Sequence, residues 1–157
     1  MISIKRRIFL KGSLATGAVG IAVSTGLLTP GVSLAAWSKA AFEATDVNGG
    51  AAALYGSSSM DKSDKIKIKA PDIAENGAVV PVSVTTSIDG VSSISIFADK
   101  NATPLTADFQ LGPGAEGYVS TRIKMGKTAN VVAVVKAGDK LYSSSKEVKV
   151  TIGGCGG

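Results

Sequence analysis

An immunoglobulin-like antiparallel β-sandwich of about seven strands, an all-β fold, is what this 157-residue sequence predicts. Three observations carry that expectation. Short segments in the second half of the chain alternate apolar and polar residues with a period of two. Turn-forming residues separate those segments at regular intervals. Helical spacing occurs in only one stretch, ahead of them.

The helical stretch covers residues 37–54. Trp37, Ala40, Ala41 and Ala44 share one face at helical spacing. Asp46-Val47-Asn48-Gly49-Gly50 is expected to interrupt it, and Ala51 to Leu54 to resume a short turn. Gly56-Ser57-Ser58-Ser59 reads as a linker.

The strands follow in order. Ile66-Lys67-Ile68-Lys69-Ala70 places its apolar residues on one sheet face, and Val80-Pro81-Val82-Ser83-Val84 does the same. Ile94 to Ala98 and Ala107 to Leu111 form the third and fourth strands. Val119, Thr121, Ile123 and Met125 mark the fifth. Val131 to Val135 is a continuous apolar run, as a strand buried on both faces requires, and Val148 to Ile152 completes the series. Glu75-Asn76-Gly77, Asp89-Gly90, Asn101 to Pro104, Gly112-Pro113-Gly114, Met125-Gly126-Lys127 and Gly138-Asp139 supply the turns. Pro81 has no ladder donor, so it belongs to an edge strand or begins the paired segment.

The first 35 residues have a different character. Lys5, Arg6, Arg7 and Lys11 precede a stretch without charge from Gly12 to Ser38, whose apolar part ends in Ser33-Leu34-Ala35. A basic start, a moderately apolar middle and small residues at the end describe an export signal, with cleavage expected after Ala35 or, second, after Ala36. The Arg6-Arg7 pair ahead of Phe9-Leu10-Lys11 resembles the twin-arginine signal, which directs export to the periplasm. An uncleaved membrane anchor is the alternative. The stretch is long enough for one, but Pro30 and the small residues after it favour cleavage. The expected organisation is therefore a signal at 1–35, a helical segment and linker at 36–60, a sandwich at 61–152 and a tail at 153–157. No membrane association is expected once the signal is removed.

Charge narrows the function classes. The chain has 17 Lys and Arg against 12 Asp and Glu. Without the four basic residues of the signal, 13 face 12, a net charge of +1. That balance leaves no basic stripe with which to bind nucleic acid. The sequence contains no histidine, which removes the commonest general base and the usual activator of a serine or cysteine nucleophile. With one cysteine and no imidazole, neither a zinc or copper site nor haem attachment is expected, and no cofactor is assigned.

Three local patterns carry no function. Residues 112–117 fit the dinucleotide-binding glycine pattern, but they sit between two strands with no helix to follow. Ser143-Ser144-Ser145-Lys146 fits a serine-acylase pattern, but it lies where a β-hairpin is expected. Asp46 to Gly50 lacks most of the ligands of a calcium loop.

The chemistry is left to the last five residues, Gly153-Gly154-Cys155-Gly156-Gly157. Gly153, Gly154, Gly156 and Gly157 give the backbone around Cys155 freedom that other residues lack, so a flexible, thin arm is expected. Three residues past Ile152 reach roughly 10 Å, at about 3.3–3.6 Å each. A lone thiol in an exported chain calls for an intermolecular bond or a reactive role. No Lys, Arg or His adjoins Cys155, so its thiol is expected to stay near the ordinary value of about 8.5 and to depend on partner enzymes for activation.

These features resemble the SoxY family, the sulfur-carrier subunits of bacterial thiosulfate-oxidising multienzyme systems. The twin-arginine segment at 5–11, the segment Pro71-Asp72-Ile73-Ala74-Glu75-Asn76-Gly77-Ala78-Val79-Val80-Pro81-Val82 and the terminal pentapeptide carry the likeness. The resemblance implies a non-catalytic carrier whose Cys155 holds sulfur intermediates covalently. It also implies a heterodimer with an immunoglobulin-like subunit, SoxZ, and visits to three enzymes: the haem enzyme SoxAX, the dimanganese hydrolase SoxB and, where present, the sulfur dehydrogenase SoxCD. The competing expectation is a secreted structural or adhesion module that uses Cys155 only for an intermolecular disulfide.

Overall fold

A computed structural model of the chain describes residues 38–151. The expected signal, with Arg6 and Arg7, and the expected arm, with Gly153, Gly154, Cys155, Gly156 and Gly157, lie outside the described residues.

Two short helices lead. Helix α1 spans Lys39–Glu43, and α2 spans Val47–Tyr55. Ser38 caps α1 by accepting from the Ala41 amide, and Asp46 caps α2 by accepting from the Gly49 amide at 2.8 Å. Gly56, with φ of +75°, ends α2 and donates its N–H to the Ala52 carbonyl. The interruption expected at residues 46–50 falls instead at 44–46, and Gly49 and Gly50 lie inside α2. Packing explains the difference. A Cβ on Gly50 would stand 2.7 Å from the ring of Phe97, so only glycine lets the helix settle against the sheet there. Close contact with a buried aromatic outweighs glycine's poor helix propensity.

The strands form two sheets. Strands β1 (Asp61–Lys62), β2 (Ile66–Lys69), β3 (Ile73–Ala74), β4 (Val80–Thr86), β5 (Val91–Ala98), β6 (Leu105–Gln110), β7 (Tyr118–Ile123), β8 (Ala129–Ala137) and β9 (Lys140–Val150) follow in chain order. The larger sheet runs β1-β9-β8-β5-β6, with β3 also on β9, and the smaller runs β2-β4-β7. Among the described residues, seven strands have four or more residues; six coincide with an alternating or apolar segment of the sequence, and the seventh, β9, does so only from Val148. The architecture is the expected immunoglobulin-like sandwich. None of the helices of the described residues is long and apolar enough to cross a membrane.

Alternation builds the core. Val80, Val82 and Val84 of β4 face Ile94, Ile96 and Ala98 of β5 and Val131, Ala133 and Val135 of β8, all buried. The other face of the larger sheet is covered too. Phe97, Val134, Leu105 and Leu141 pack there with Ala41 of α1, Leu54 and Tyr55. Burial on both faces accounts for the uninterrupted apolar run of β8.

Pro81 lies in a strand with a neighbour on each side, yet it loses no bond. The Thr86 amide donates to Gly117 on the β7 side, and the Ser87 amide donates to Lys65 on the β2 side. Alternation turns the Pro81 nitrogen toward β2, which ends at Lys69, opposite Ser83. Pro81 therefore sits at a local edge, as the sequence requires.

Strand β9 departs from expectation. It runs for eleven residues from the two-residue hairpin at Gly138-Asp139, where Gly138 has a φ of +58°. Only its last part, from Val148, shows apolar alternation. Its outer edge is covered by β1 and β3, and both pair with it in parallel. The sandwich is thus antiparallel except along this edge. Between those two contacts the chain crosses to the smaller sheet as β2, so one segment covers β9 twice.

Candidate functional site

The described chain ends at the root of the expected carrier arm, where it is firmly held. Pairing of β9 with β8 stops at Val148, opposite Ala129. Beyond that point other groups take over. The Lys149 amide donates to the Asp72 carbonyl at 2.9 Å, and the Thr151 amide donates to the Ala74 carbonyl at 3.1 Å. On the opposite side the Val150 amide donates to Thr128 Oγ1 at 3.0 Å. A side-chain hydroxyl continues the ladder where the backbone of β8 has turned away.

The turn after β3 tightens this grip. Asn76 Oδ1 accepts from the Ala78 amide at 2.9 Å, an Asx turn that shapes the bend. Gly77 then lies against the root. Its carbonyl accepts from the Met125 amide at 2.7 Å. A Cβ at Gly77 would stand 2.3 Å from the Met125 carbonyl oxygen and 2.8 Å from Val150 Cγ1, so the approach is open only to glycine. Lys146 adds a tie farther along β9, with Nζ 2.6 Å from the Ala70 carbonyl and 3.0 Å from Asp72 Oδ1. Asp72 is almost fully exposed, so the carbonyl contact is the firmer of the two.

Residues 70–79 therefore brace the last turn of chain before the arm. In the sequence this segment stands out only as a marker of resemblance and as a turn at Glu75-Asn76-Gly77, with no role attached. A role is hard to see there because β3 has only two residues, and its partner lies some 75 positions away.

Two sequence patterns set aside above take their expected places. Residues 112–117 form the loop between β6 and β7, and Ser143 to Lys146 lie within β9. The Lys146 amine is committed to Ala70 and Asp72.

A second polar group, with no signature in the sequence, lies on the outer face of the larger sheet. Ser93 Oγ donates to the Tyr55 hydroxyl at 3.0 Å, Tyr55 meets Ser95 Oγ in a short hydrogen bond, and Ser95 Oγ donates to Asp108 Oδ1 at 2.7 Å. Asp108 Oδ2 accepts from Gln110 Nε2 at 2.8 Å. The Lys136 amine stands 5.8 Å from the centre of the Tyr55 ring. Burial pushes the Tyr55 phenol up to about 12 from its ordinary value of 10.0, and the Asp108 charge adds to the rise. The bonds from Ser93 and Ser95 oppose it in part. Every buried side-chain polar atom among the described residues has a partner. The group therefore fastens the end of α2 to β5 and β6 and offers no unfilled valence to a ligand.

The family model described as "Sulfur oxidation protein SoxY" matches residues 51–155. A solved structure described as the sulfur carrier protein SoxY from Chlorobium limicola f thiosulfatophilum is similar at 50% sequence identity and a TM-score of 0.63. That likeness covers 68% of this chain and 97% of the other. A search of curated proteins gave no match.

Proposed function

Since this chain belongs to the SoxY family of sulfur oxidation proteins, we propose that it is a periplasmic carrier that holds sulfur intermediates of thiosulfate oxidation on the thiol of Cys155. The observation that carries this reading is the extent of the family match, which runs from residue 51, within the second helix, through the braced root to Cys155. The sulfur-carrier description of the similar Chlorobium protein supports it. So does the composition, which offers Cys155 as the only thiol and no histidine to make the chain itself a catalyst.

The chemistry is a cycle on one sulfur atom. Loading forms an S–S bond between Cys155 Sγ and the outer sulfur of thiosulfate, giving a cysteine S-thiosulfonate. The thiol proton and two electrons leave, and the electrons pass to the haem enzyme SoxAX. Hydrolysis by SoxB then breaks the bond between the outer sulfur and the sulfonate. Water supplies the oxygen, sulfate departs and a persulfide remains. Where SoxCD is present it oxidises that sulfane. The chain's own part is to hold the adduct and carry it between sites, as a heterodimer with SoxZ. The twin-arginine signal at Arg6 and Arg7 takes it to the periplasm.

Replacing Cys155 by serine in cells tests the reading. The variant folds and is exported, and thiosulfate-dependent respiration is lost. Undiminished respiration with Cys155→Ser would refute the carrier role.

A further inference from the structure

We propose that residues 71–79, the collar around the root of the arm, form the surface on which the sulfur-processing enzymes seat while they hold Cys155. This rests on the carrier reading above and goes beyond it by assigning the contact to particular residues.

Three observations converge on the collar. The first is exposure without a partner. Among the described residues the large hydrophobic side chains that stand out in water are Ile73 (57% exposed), Val79 (51%) and Tyr118 (50%). Two of the three belong to this one segment. Each sits beside a neighbour that supplies the core contact in its place, since Ala74 and Val80 are buried. The fold therefore does not use Ile73 or Val79, and a surface of this kind fits a protein partner with an apolar rim.

The second is location. Ile73 lies abreast of Lys149, two residues before the chain leaves the described structure, and the Ala74 carbonyl holds the Thr151 amide. Gly77 touches Val150 from the other side of the turn. Any protein that approaches the exit of the arm meets this segment.

The third is reach. From Thr151 to Cys155 there are four residues, which span at most roughly 13–14 Å. An active site recessed in a channel uses most of that length inside the enzyme. Little is left to separate the two bodies, so the rim of the channel must come down on the surface around Thr151. The occupant is thus an enzyme that takes the arm, and its mouth should be apolar where it meets Ile73 and Val79.

The test uses the full carrier with its SoxZ subunit, loaded at Cys155 with tetrathionate. The thiolate attacks a sulfur of tetrathionate, forms the S-thiosulfonate and releases thiosulfate. Purified SoxB then releases sulfate from wild type and from the Ile73→Ser/Val79→Ser variant. Both side chains are exposed, so the variant keeps its Tm. KM is expected to rise about tenfold, with kcat and the rate of Cys155 alkylation by iodoacetamide unchanged. An unchanged KM would overturn the collar while leaving the carrier reading intact. A rise in KM matched by equal weakening of the complex with SoxZ would assign the surface to the second subunit instead and overturn the proposal. Failure of wild-type Cys155 to yield sulfate at all would overturn both readings together.

Discussion

Substituting alanine for Gly77 is the sharpest test of the brace at the root of the arm. The added Cβ would lie 2.3 Å from the Met125 carbonyl oxygen, more than 1 Å inside ordinary contact, and 2.8 Å from Val150 Cγ1. Neither neighbour gives way cheaply. Met125 is 1% exposed, and its amide is bonded to the Gly77 carbonyl at 2.7 Å. Moving Gly77 outward by about 1 Å relieves the clash but breaks that hydrogen bond, at a cost of about 1 kcal/mol. Residual overpacking adds about 1–3 kcal/mol. The sum is about 3 kcal/mol, which for a domain of this size lowers Tm by roughly 10 °C. Urea denaturation followed by circular dichroism measures it, with the m-value unchanged if only the native state is affected. A loss below about 0.5 kcal/mol would mean that Gly77 does not clamp the root, and the brace would be refuted.

Two further predictions concern groups that titrate. Tyr55→Phe removes the acceptor of buried Ser93 and costs about 2 kcal/mol at neutral pH. Because the pKa of Tyr55 is about 12 in the folded protein against an ordinary 10.0, the unfolded chain ionises first, and wild-type stability falls between pH 10 and 12. Tyr55→Phe lacks that loss, so the gap between the two proteins narrows over this window in urea titrations. A gap that stays constant from pH 9 to 12 would show that the phenol is not held neutral. For the arm, the rate of Cys155 alkylation in the isolated carrier should rise through an apparent pKa of about 8.5. A midpoint well below 7 would mean that the chain activates its own thiol.

How much of this could be read from residues alone varied from element to element. Period-two segments mark β2, β4, β5, β6, β7 and the end of β9, because one buried face makes apolar residues recur at every second position, while β8, buried on both faces, shows as an unbroken apolar run. Pro81 marks a local edge because a missing donor leaves few positions in a sheet. Where the sequence misled, packing at a distance decided. Gly49-Gly50 looks like a break, and only the ring of Phe97, 47 positions away from Gly50, makes glycine necessary inside α2. The middle of β9 is Ser143-Ser144-Ser145, with no apolar face to show a strand; it is held by backbone pairing with β8 and, at Tyr142 and Ser143, with β1. The Tyr55 group was hidden for a related reason. Ser93, Ser95 and Asp108 alternate like ordinary outward-facing strand residues, and nothing local shows that a helix end comes down on them. For the functional site the division is similar. Cys155 is legible at once as a lone thiol among glycines, but its brace depends on a two-residue parallel pairing that no local pattern announces.

The carrier role itself is tested most directly by weighing Cys155 in protein purified from thiosulfate-grown cells. A sulfur carrier should yield peptides bearing about +112 Da or +32 Da on Cys155, the masses of a thiosulfonate and a persulfide. Both should vanish on reduction. A thiol found only as a disulfide between two copies of this chain, with no sulfur adduct under any growth condition, would contradict that role.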